Sequence, residues 1–533
     1  MGRSRAPRRA WPRIGPNCIG PAPLDLDCIG VKSLSRLAPD RYITGSGIHF
    51  ESSGPMAFEP PAGSRAAVAI VGGGFSGTLL ALKLAAARPE GRVLLIEPSN
   101  RPGRGLAYGA CAPSHLLNVP VARMEVGLTP TFADWLAAHG GMDEALAESG
   151  GDMAAAFAPR ALWGRYLADQ LAAARASGAV TVLRGEAVRM LDAPRRGLVL
   201  RDGREVEAET VVLATGNLPP RPPLPADHWL QDDPAFVVDP WDRTALEGLD
   251  PDAPVLLIGT GLTMVDIALK LTEDGHRGPM VAVSRRGLLP RAHRYGGAWP
   301  TFLAPHLPAG PAVLSRIIRA EIRKAVAEGQ PWQRVIDAVR PYIGRIWAEW
   351  TPADRSRFLR HQRARWDVFR HRMAPRIAAG IETLTAEGRL TVKGGRLRDW
   401  RRDGDRLAIT LHPRGGGAAE TLAAARVINC TGPRSDLKGL EVPLFADLAR
   451  RGLIAPDALG LGLETADCAV LSARGEASTW LHAVGPLTRP AWWEITAVPE
   501  IAAQVDGLAH VLARDVDHAP ALATVFLDLG AGI

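Results

Sequence analysis

Three glycines near residue 70 follow a spacing that suits the binding of a phosphate group. Gly72, Gly74 and Gly77 form a Gly-x-Gly-x-x-Gly pattern. The first glycine permits a tight turn, the second lets a phosphate approach the backbone, and the third lets a helix pack closely on a strand. Backbone N–H groups at the start of that helix would then face the phosphate, where the helix dipole favours an anion.

The residues around this pattern predict the elements that must position it. An apolar run over 67–71 precedes the glycines, a helix is predicted over 78–87, and a buried strand over 92–97. Glu97 ends that strand twenty residues after Gly77, where a carboxylate can accept hydrogen bonds from ribose hydroxyls. These features predict a dinucleotide site, and the alternative is a glycine-rich turn without a ligand. The turn residues expected to contact the cofactor are Gly72, Gly74, Phe75, Ser76 and Gly77.

A second unit of the same type begins near residue 254. Strands predicted over 254–258 and 280–284 flank a helix over 265–274. Met264 stands where the third glycine would be, which weakens the close-packing argument but leaves the phosphate approach open. Two such units predict an α/β fold with two Rossmann-like dinucleotide-binding domains. The turn residues expected to contact the second cofactor are Gly259, Gly261, Leu262 and Thr263.

The last strand of the second unit ends in two cations. Arg285 and Arg286 follow Ser284, and no acid stands there. A pair of guanidinium groups at this place suits a 2′-phosphate, which predicts NADPH and leaves NADH possible. The alternative is a solvated pair of surface arginines.

Two apolar strands each close on a Thr-Gly pair. They cover 211–216 and 427–432, and they end in Thr215-Gly216 and Thr431-Gly432. Because each follows one dinucleotide unit, we interpret them as the points where the chain leaves and re-enters the first domain. All four residues are expected near a bound dinucleotide.

Four stretches, 103–124, 256–269, 366–375 and 492–504, resemble one known group of proteins. They are similar to the bacterial FAD/NAD(P)-binding oxidoreductase family, within the two-dinucleotide-domain flavoproteins that include glutathione reductase and the flavin-containing and N-hydroxylating monooxygenases. The resemblance covers about residues 66–515. It implies FAD and NADPH as cofactors, an NADP domain inserted into a split FAD domain, and hydride transfer from nicotinamide to flavin.

This organisation divides the chain into four parts. Residues 65–220 are the first part of the FAD-binding domain, 221–424 the NAD(P)-binding domain with a helical insert, and 425–533 the second part of the FAD-binding domain. Residues 1–64 are rich in Pro, Gly and Arg and are expected to be a disordered or mis-annotated tail. Met56 would then be the natural start, and the alternative is a basic arm.

The resemblance also implies residues around the flavin. In 103–124, Asn118 and Met124 are expected to make backbone or ring-edge contacts with the isoalloxazine, unless the stretch is a structural crossover loop. Many relatives have Gly-Asp at the end of the late strand, whereas this chain has Gly485 followed by proline. The ribityl contact is therefore expected from the backbone or from Glu494. Trp492 and Trp493, just before Glu494, could line the flavin pocket or form an interface core.

Consecutive basic residues in the 366–375 stretch are the candidate catalytic residues. We predict that His371 and Arg372 form a cationic wall of the active site, with His371 as a proton donor during oxygen chemistry. The alternative is an ion pair of His371 with Asp367 on a helix surface, accompanied by packing of Trp366.

Composition excludes several other classes. The net charge is +7, and residues 1–55 hold eight Lys/Arg against four Asp/Glu, so the body shows no basic face for nucleic acid. The five cysteines include no C-x-x-C, and the histidines are scattered, so no metal site is expected. No apolar run spans a bilayer. We expect a cytoplasmic protein of unknown oligomeric state.

The sequence therefore predicts a FAD-dependent, NAD(P)H-using oxidoreductase. It is expected to be monooxygenase-like and to act on an unidentified small molecule. Two alternatives stay open: a flavin-linked electron-transfer reductase for a protein partner, and a non-catalytic flavin or nucleotide sensor. Two intact dinucleotide units favour the enzyme, because a sensor does not need hydride transfer.

Overall fold

A computed structural model describes residues 66–514, except 89–91, 148, 150, 154, 226, 243 and 440. The tail over 1–64 and its expected disorder lie outside the described residues.

The strands form two sheets. In chain order they are β1 (Ala66–Val71), β2 (Val93–Glu97), β3 (Val180–Arg184), β4 (Ala187–Met190), β5 (Gly197–Leu200), β6 (Glu205–Leu213), β7 (Phe236–Val237), β8 (Val255–Ile258), β9 (Met280–Ser284), β10 (Leu390–Asp403), β11 (Arg406–Pro413), β12 (Glu420–Ala424), β13 (Arg426–Asn429), β14 (Thr465–Ala466), β15 (Ala469–Leu471) and β16 (Ala477–Ala483).

The α-helices cover the faces of the sheets and form a separate group between β9 and β10. They are α1 (Phe75–Ala87), α2 (Gly105–Gly109), α3 (Phe132–Ala138), α4 (Met142–Ala147), α5 (Arg160–Ala176), α6 (Leu262–Glu273), α7 (Pro311–Ala327), α8 (Gln333–Val339), α9 (Ile343–Glu349), α10 (Pro352–His361), α11 (Arg363–Arg370), α12 (Pro375–Ala386), α13 (Pro443–Arg450) and α14 (Val498–Ala513).

The first sheet has the order β14-β15-β16-β6-β1-β2-β3, with β4 and β5 attached through β6. Strand β1 lies between β2 and β6 and is parallel to both. Side chains alternate across a strand, so Val68 and Ile70 enter one core and Ala69 and Val71 the other. This double burial explains why the sequence of β1 is a continuous apolar run.

The second sheet has the order β12-β11-β10-β9-β8-β13-β7. Strand β13 pairs in parallel with β8 and β7, so it belongs to this sheet. The prediction that the chain re-enters the first domain at 425, and at Thr431-Gly432, is therefore wrong. Strand β13 completes the second unit through this pairing, which its apolar sequence alone does not reveal because the strands of both sheets are apolar. The chain rejoins the first sheet later, where α13 packs in the core beside β4.

Helices α7 to α11 form the helical insert, in the region where the sequence predicts several helices. It is attached to the chain that follows β16 by its tryptophans. Trp347 is buried, donates a hydrogen bond from Nε1 to Pro490 O at 2.8 Å and stacks on Trp493 at 4.6 Å. Of the two interpretations of Trp493, the structure supports the interface core.

A buried ion pair joins the two sheet regions. Arg160 Nη1 at the start of α5 lies 2.8 Å from Asp266 Oδ2 on α6. His115 Nε2 lies 3.1 Å from the backbone oxygen of Asp266. Burial acts to lower the pKa of Arg160, but Asp266 outweighs it and holds that pKa above its ordinary value. Arg160 therefore stays charged, and its ion pair with Asp266 fixes α6 against α5.

The described part of the chain shows neither a candidate membrane span nor a candidate metal cluster. None of its helices has both the length and the apolar character of a membrane span, and it contains no group of three or more His, Cys, Asp or Glu that could hold a metal ion.

Candidate cofactor sites and active site

The first glycine turn has the geometry that its spacing predicts. Gly72 has φ +106°, and a Cβ there would lie 2.5 Å from Ala214 O. A Cβ on Gly77 would lie 1.9 Å from Gly72 O, so the third glycine is needed for close packing. A Cβ on Gly74 would have only Gly105 Cα within 4 Å, at 3.6 Å, so the turn is open where a phosphate would approach.

Helix α1 begins at this turn without a side-chain cap. Its N-cap, Gly74, is extended, and no side chain accepts from the first N–H groups. Phe75 and Ser76 are buried in the first turn of the helix. Uncapped N–H groups at a helix start can bind an anion, so the turn fits the pyrophosphate of a dinucleotide.

Glu97 lies against the turn. Its Oε2 accepts a hydrogen bond from the N–H of Gly73 at 2.7 Å, and its Oε1 accepts from the N–H of Ser99 at 2.9 Å. An ionised carboxylate offers about four lone-pair sites. Glu97 is thus held in place by the backbone and retains capacity for ribose hydroxyls.

Thr215 and Gly216 lie at the carboxyl end of β6, beside the turn. Thr215 Cα would be 3.1 Å from a Cβ on Gly72. The Oγ1 atom of Thr215 is buried and has no hydrogen-bond partner within the described residues. An unsatisfied buried hydroxyl costs about 1–3 kcal/mol, so this atom fits a site completed by a polar group of the cofactor.

Thr215→Val is expected to weaken FAD binding without destabilising the protein that lacks FAD. Valine keeps the shape and removes a hydroxyl that the protein itself leaves unsatisfied, so the free energy of unfolding should stay equal or rise by up to about 1 kcal/mol. The FAD dissociation constant should rise about 5- to 10-fold for one lost hydrogen bond. Urea unfolding and FAD titration of the apoprotein measure the two effects, and a less stable apoprotein would contradict the assignment.

The 103–124 stretch lies directly on the first turn. Gly105 has φ +56°, and a Cβ there would lie 2.8 Å from Gly74 Cα. Asn118 is exposed, which leaves its predicted contact with the isoalloxazine possible. The predicted ring-edge contact of Met124 is wrong for its side chain, because Met124 is fully buried in the core of the first sheet.

Gly485 also lies at this edge of the sheet. It has φ +78°, and a Cβ there would lie 2.6 Å from Ser76 Oγ. Gln504 Oε1 accepts from the N–H of Gly485 at 2.7 Å, and its Nε2 donates to Thr488 Oγ1 at 2.8 Å. Thr488 Oγ1 donates in turn to Gly485 O at 2.9 Å. This closed network explains why the 492–504 stretch ends in glutamine.

Glu494 contacts the helical insert. Its Oε1 accepts from Trp366 Nε1 at 2.8 Å, and its Oε2 lies 3.1 Å from Arg370 Nε, so both oxygens contact the helical insert. Burial acts to raise the pKa of Glu494, but Arg370 and His371 outweigh it and hold the pKa below its ordinary value. This carboxylate therefore stays charged and holds the insert, and its predicted ribityl contact stays a prediction.

The second glycine turn repeats the first. Gly259 has φ +119°, and a Cβ there would lie 2.3 Å from Cys430 O, so Thr431 and Gly432 lie beside this turn. Gly261 is the N-cap of α6, again without a side-chain cap, and a Cβ on it would meet no atom within 4 Å. Leu262 and Thr263 are half-buried in the first turn of α6. The turn is open at its second glycine, as a phosphate requires.

Arg286 lies in a group of four guanidinium groups. Its pKa is lowered by burial and by Arg365, Arg414 and Arg285. Its Nη2 donates to the carbonyl oxygens of Arg360 and His361, each at 3.3 Å, which holds the side chain in place. Cations that repel one another at the end of β9 fit a 2′-phosphate. Sequence spacing could not reveal Arg365 and Arg414, because other strands and helices bring them here.

The candidate catalytic residues differ in their surroundings. Helix α11 ends at Arg370, so His371 is its C-cap. Burial lowers the pKa of His371, although Glu494 acts to raise it. Arg372 is 2% exposed and forms an ion pair with Asp337. The predicted cationic wall is therefore corrected in one respect: Arg372 is a buried side chain, and its Nη2 is paired with Asp337.

A cavity of about 160 Å³ lies within the helical insert. Its lining is mainly aliphatic and aromatic, from α7 to α11 and Trp493, and no residue of either glycine turn lines it. It is thus separate from both dinucleotide turns.

Comparisons with known proteins agree with this geometry. Residues 69–218 match the family model described as FAD-NAD(P)-binding. No curated protein matches the sequence. The solved structures that are similar to most of the chain include the following three. Lysine 6-monooxygenase from Pseudomonas syringae has a TM-score of 0.60 at 18% identity, over 85% of this chain and 100% of that one.

The other two have similar scores. Ornithine hydroxylase from Pseudomonas aeruginosa has a TM-score of 0.57 at 15% identity, over 85% of this chain and 100% of that one. The FAD-bound cadaverine monooxygenase of desferrioxamine biosynthesis from Erwinia amylovora has a TM-score of 0.60 at 12% identity, over 86% of this chain and 96% of that one. Structural similarity of this extent at such low identity establishes the fold alone: the chain has the α/β fold of two-dinucleotide-domain flavoproteins.

Proposed function

We propose that this chain, built on the flavoprotein fold, is an FAD-dependent, NADPH-oxidising enzyme that acts as a monooxygenase on a small molecule. One observation carries the proposal: both glycine turns are open at their second glycine, and strand β9 of the second unit is followed by Arg285 and Arg286, which lie in a group of four guanidinium groups. The solved structures that resemble the chain are named as hydroxylases and monooxygenases of small amines and amino acids, which supports the monooxygenase reaction.

The residues would divide the work between two sites. The first turn, Glu97 and Thr215 would hold FAD, and the second turn with Arg285 and Arg286 would hold NADPH. Bound FAD supplies hydride acceptance and the transfer of electrons to O₂. The protein supplies orientation, through the ion pair of Arg160 with Asp266 that fixes the two turns relative to each other.

An anaerobic titration tests this proposal. The purified protein should be yellow, NADPH should bleach it without O₂, and admitting O₂ should restore the colour within seconds. Gly261→Ala is the matched control, since it should keep the colour and lose the bleaching. Bleaching without rapid reoxidation would indicate the electron-transfer reductase instead, and a protein that binds FAD but is not reduced would indicate a sensor.

The predicted role of His371 depends on pH. A proton donor must be protonated, and the pKa of His371 is lowered from its ordinary value near 6.5. Its contribution should therefore be present in acid and lost as pH rises through that lowered pKa. We expect His371→Gln to raise the peroxide released per NADPH most at the lowest pH at which the protein stays folded, and to change it less than about 2-fold at pH 8. An equal effect at both values would contradict the role.

A further inference from the structure

His293 lies where three parts of the molecule meet. Its backbone N–H donates a hydrogen bond to the backbone oxygen of Met373, just beyond α11, at 2.7 Å. Its ring lies 5.3 Å from the ring of Phe157, which belongs to the core near Leu116. Gln333 of α8 donates to the neighbouring Ala292 O at 3.3 Å. The side chain of His293 is half-buried, so this junction is reachable from solvent.

Four guanidinium groups surround this histidine. Burial, the largest cause, and the positive charges of Arg372, Arg123, Arg370 and Arg340 together lower its pKa to about 3. The imidazole is therefore neutral, and the potential around it is positive. Arg123 lies near the end of the 103–124 stretch. Arg340 and Arg370 belong to the helical insert, and Arg372 follows its last helix, α11.

The carboxylates at this junction do not satisfy these cations fully. Arg340 and Arg370 share Glu500 Oε1, at 2.9 and 3.0 Å. Arg370 also contacts Glu494, and Arg372 contacts Asp337. These are three carboxylates for four cations.

Two of the arginines retain donors for a ligand. No described residue forms a hydrogen bond or ion pair with the half-buried guanidinium of Arg123. Arg372 is 2% exposed, yet its Nε and Nη1 have no hydrogen-bond partner in the described part of the chain. Buried charged donors without partners are costly, and an anion at this junction would satisfy them.

We propose that this junction binds the carboxylate of the small-molecule substrate, which narrows the substrate to a carboxylic acid. Planar guanidinium forks match a carboxylate in two parallel hydrogen bonds. The dinucleotide phosphates have their own places, at the two glycine turns and at Arg285 and Arg286. We assign the site to the substrate because the 103–124 stretch, which contains Arg123, also contacts the first glycine turn through Gly105. This inference rests on the proposed function.

Calorimetric titration of the FAD-loaded protein tests the inference. The probes are acetate, benzoate and inorganic phosphate, with potassium chloride at matched ionic strength. Acetate and benzoate should bind, and Arg123→Gln should weaken them at least about 10-fold, the effect of losing one charge-assisted hydrogen bond. Arg123→Lys keeps the positive charge but loses the planar guanidinium. Its affinity for acetate and benzoate should lie between those of the wild type and Arg123→Gln. The control variant is Arg92→Gln, which removes an exposed guanidinium just before β2, at the end of the strand opposite to Glu97. It should bind acetate and benzoate as the wild type does.

Three results would overturn the inference. The first is that Arg123→Gln binds acetate and benzoate as tightly as the wild type does. The second is that neither carboxylate binds more than the chloride control. The third is that only phosphate binds and that Arg123→Gln also binds NADPH more weakly. The last would assign the arginines to the nucleotide. NADPH bleaching on the same samples separates the two proposals: bleaching without carboxylate binding refutes the substrate class and leaves the enzyme standing, whereas absent bleaching refutes the enzyme.

Discussion

Gly74→Ala is expected to yield a folded protein that purifies almost without FAD. The methyl group would lie 3.6 Å from Gly105 Cα, an ordinary contact, so the fold should tolerate it. It would occupy the approach of the pyrophosphate to the start of α1, where the second glycine is required. We expect FAD affinity to fall at least about 100-fold, or about 3 kcal/mol, as measured by flavin absorbance after purification and by FAD titration.

Gly261→Ala is the crossed control, since it makes the same change in the second turn. Its methyl group would meet no protein atom within 4 Å. This variant should keep its FAD and bind NADPH at least about 100-fold more weakly. If Gly74→Ala retained full FAD, the first turn would not bind the pyrophosphate. Circular dichroism of both variants checks that each is folded.

The double variant Arg285→Ala/Arg286→Ala is expected to lose the preference for NADPH. A charge-assisted hydrogen bond contributes about 1.5–3 kcal/mol, so two of them correspond to at least about a 100-fold rise in KM for NADPH. NADH lacks the 2′-phosphate, and its KM should change less than about 3-fold. Stopped-flow measurement of flavin reduction by each nucleotide, at two salt concentrations, gives the comparison.

The guanidinium of Arg401 provides the control for this variant. It is exposed on β10, in the same sheet as β9. Arg401→Ala should leave both nucleotides unaffected, which separates a local phosphate contact from a general loss of positive charge. A parallel rise of KM for NADPH and NADH would show that the arginines position the whole nucleotide and do not recognise the 2′-phosphate.

The two strand–turn–helix units could be predicted because their signals are local. Strand β9 runs from Met280 to Ser284 as its apolar pattern indicates, and β1 and β8 differ from prediction by one residue at their starts. Helices α1 and α6 both begin three residues earlier than predicted, at Phe75 and Leu262. In both cases the glycine N-cap ends the turn sooner than the helix-forming residues suggest.

The contacts that complete the sites could not be predicted, because they depend on tertiary packing. An apolar strand such as β13 carries no mark of the sheet it joins, and only its pairing with β8 assigns it. The burial of Met124 and the turn of Glu494 toward Trp366 likewise have no counterpart in residue spacing. The arginines around Arg286 and His293 come from elements distant in sequence.

The ion pair between α5 and α6 has a consequence for how the two cofactors affect each other. Asp266 lies one turn into the helix that begins at the second glycine turn, and Arg160 begins the helix whose Trp163 lies 5.8 Å from Phe75 at the first. If NADP⁺ binding displaced α6, the displacement would thus reach the start of α1, where FAD is proposed to bind. Such coupling is reciprocal by thermodynamic necessity, so NADP⁺ must tighten or loosen FAD by the same factor by which FAD changes the affinity for NADP⁺.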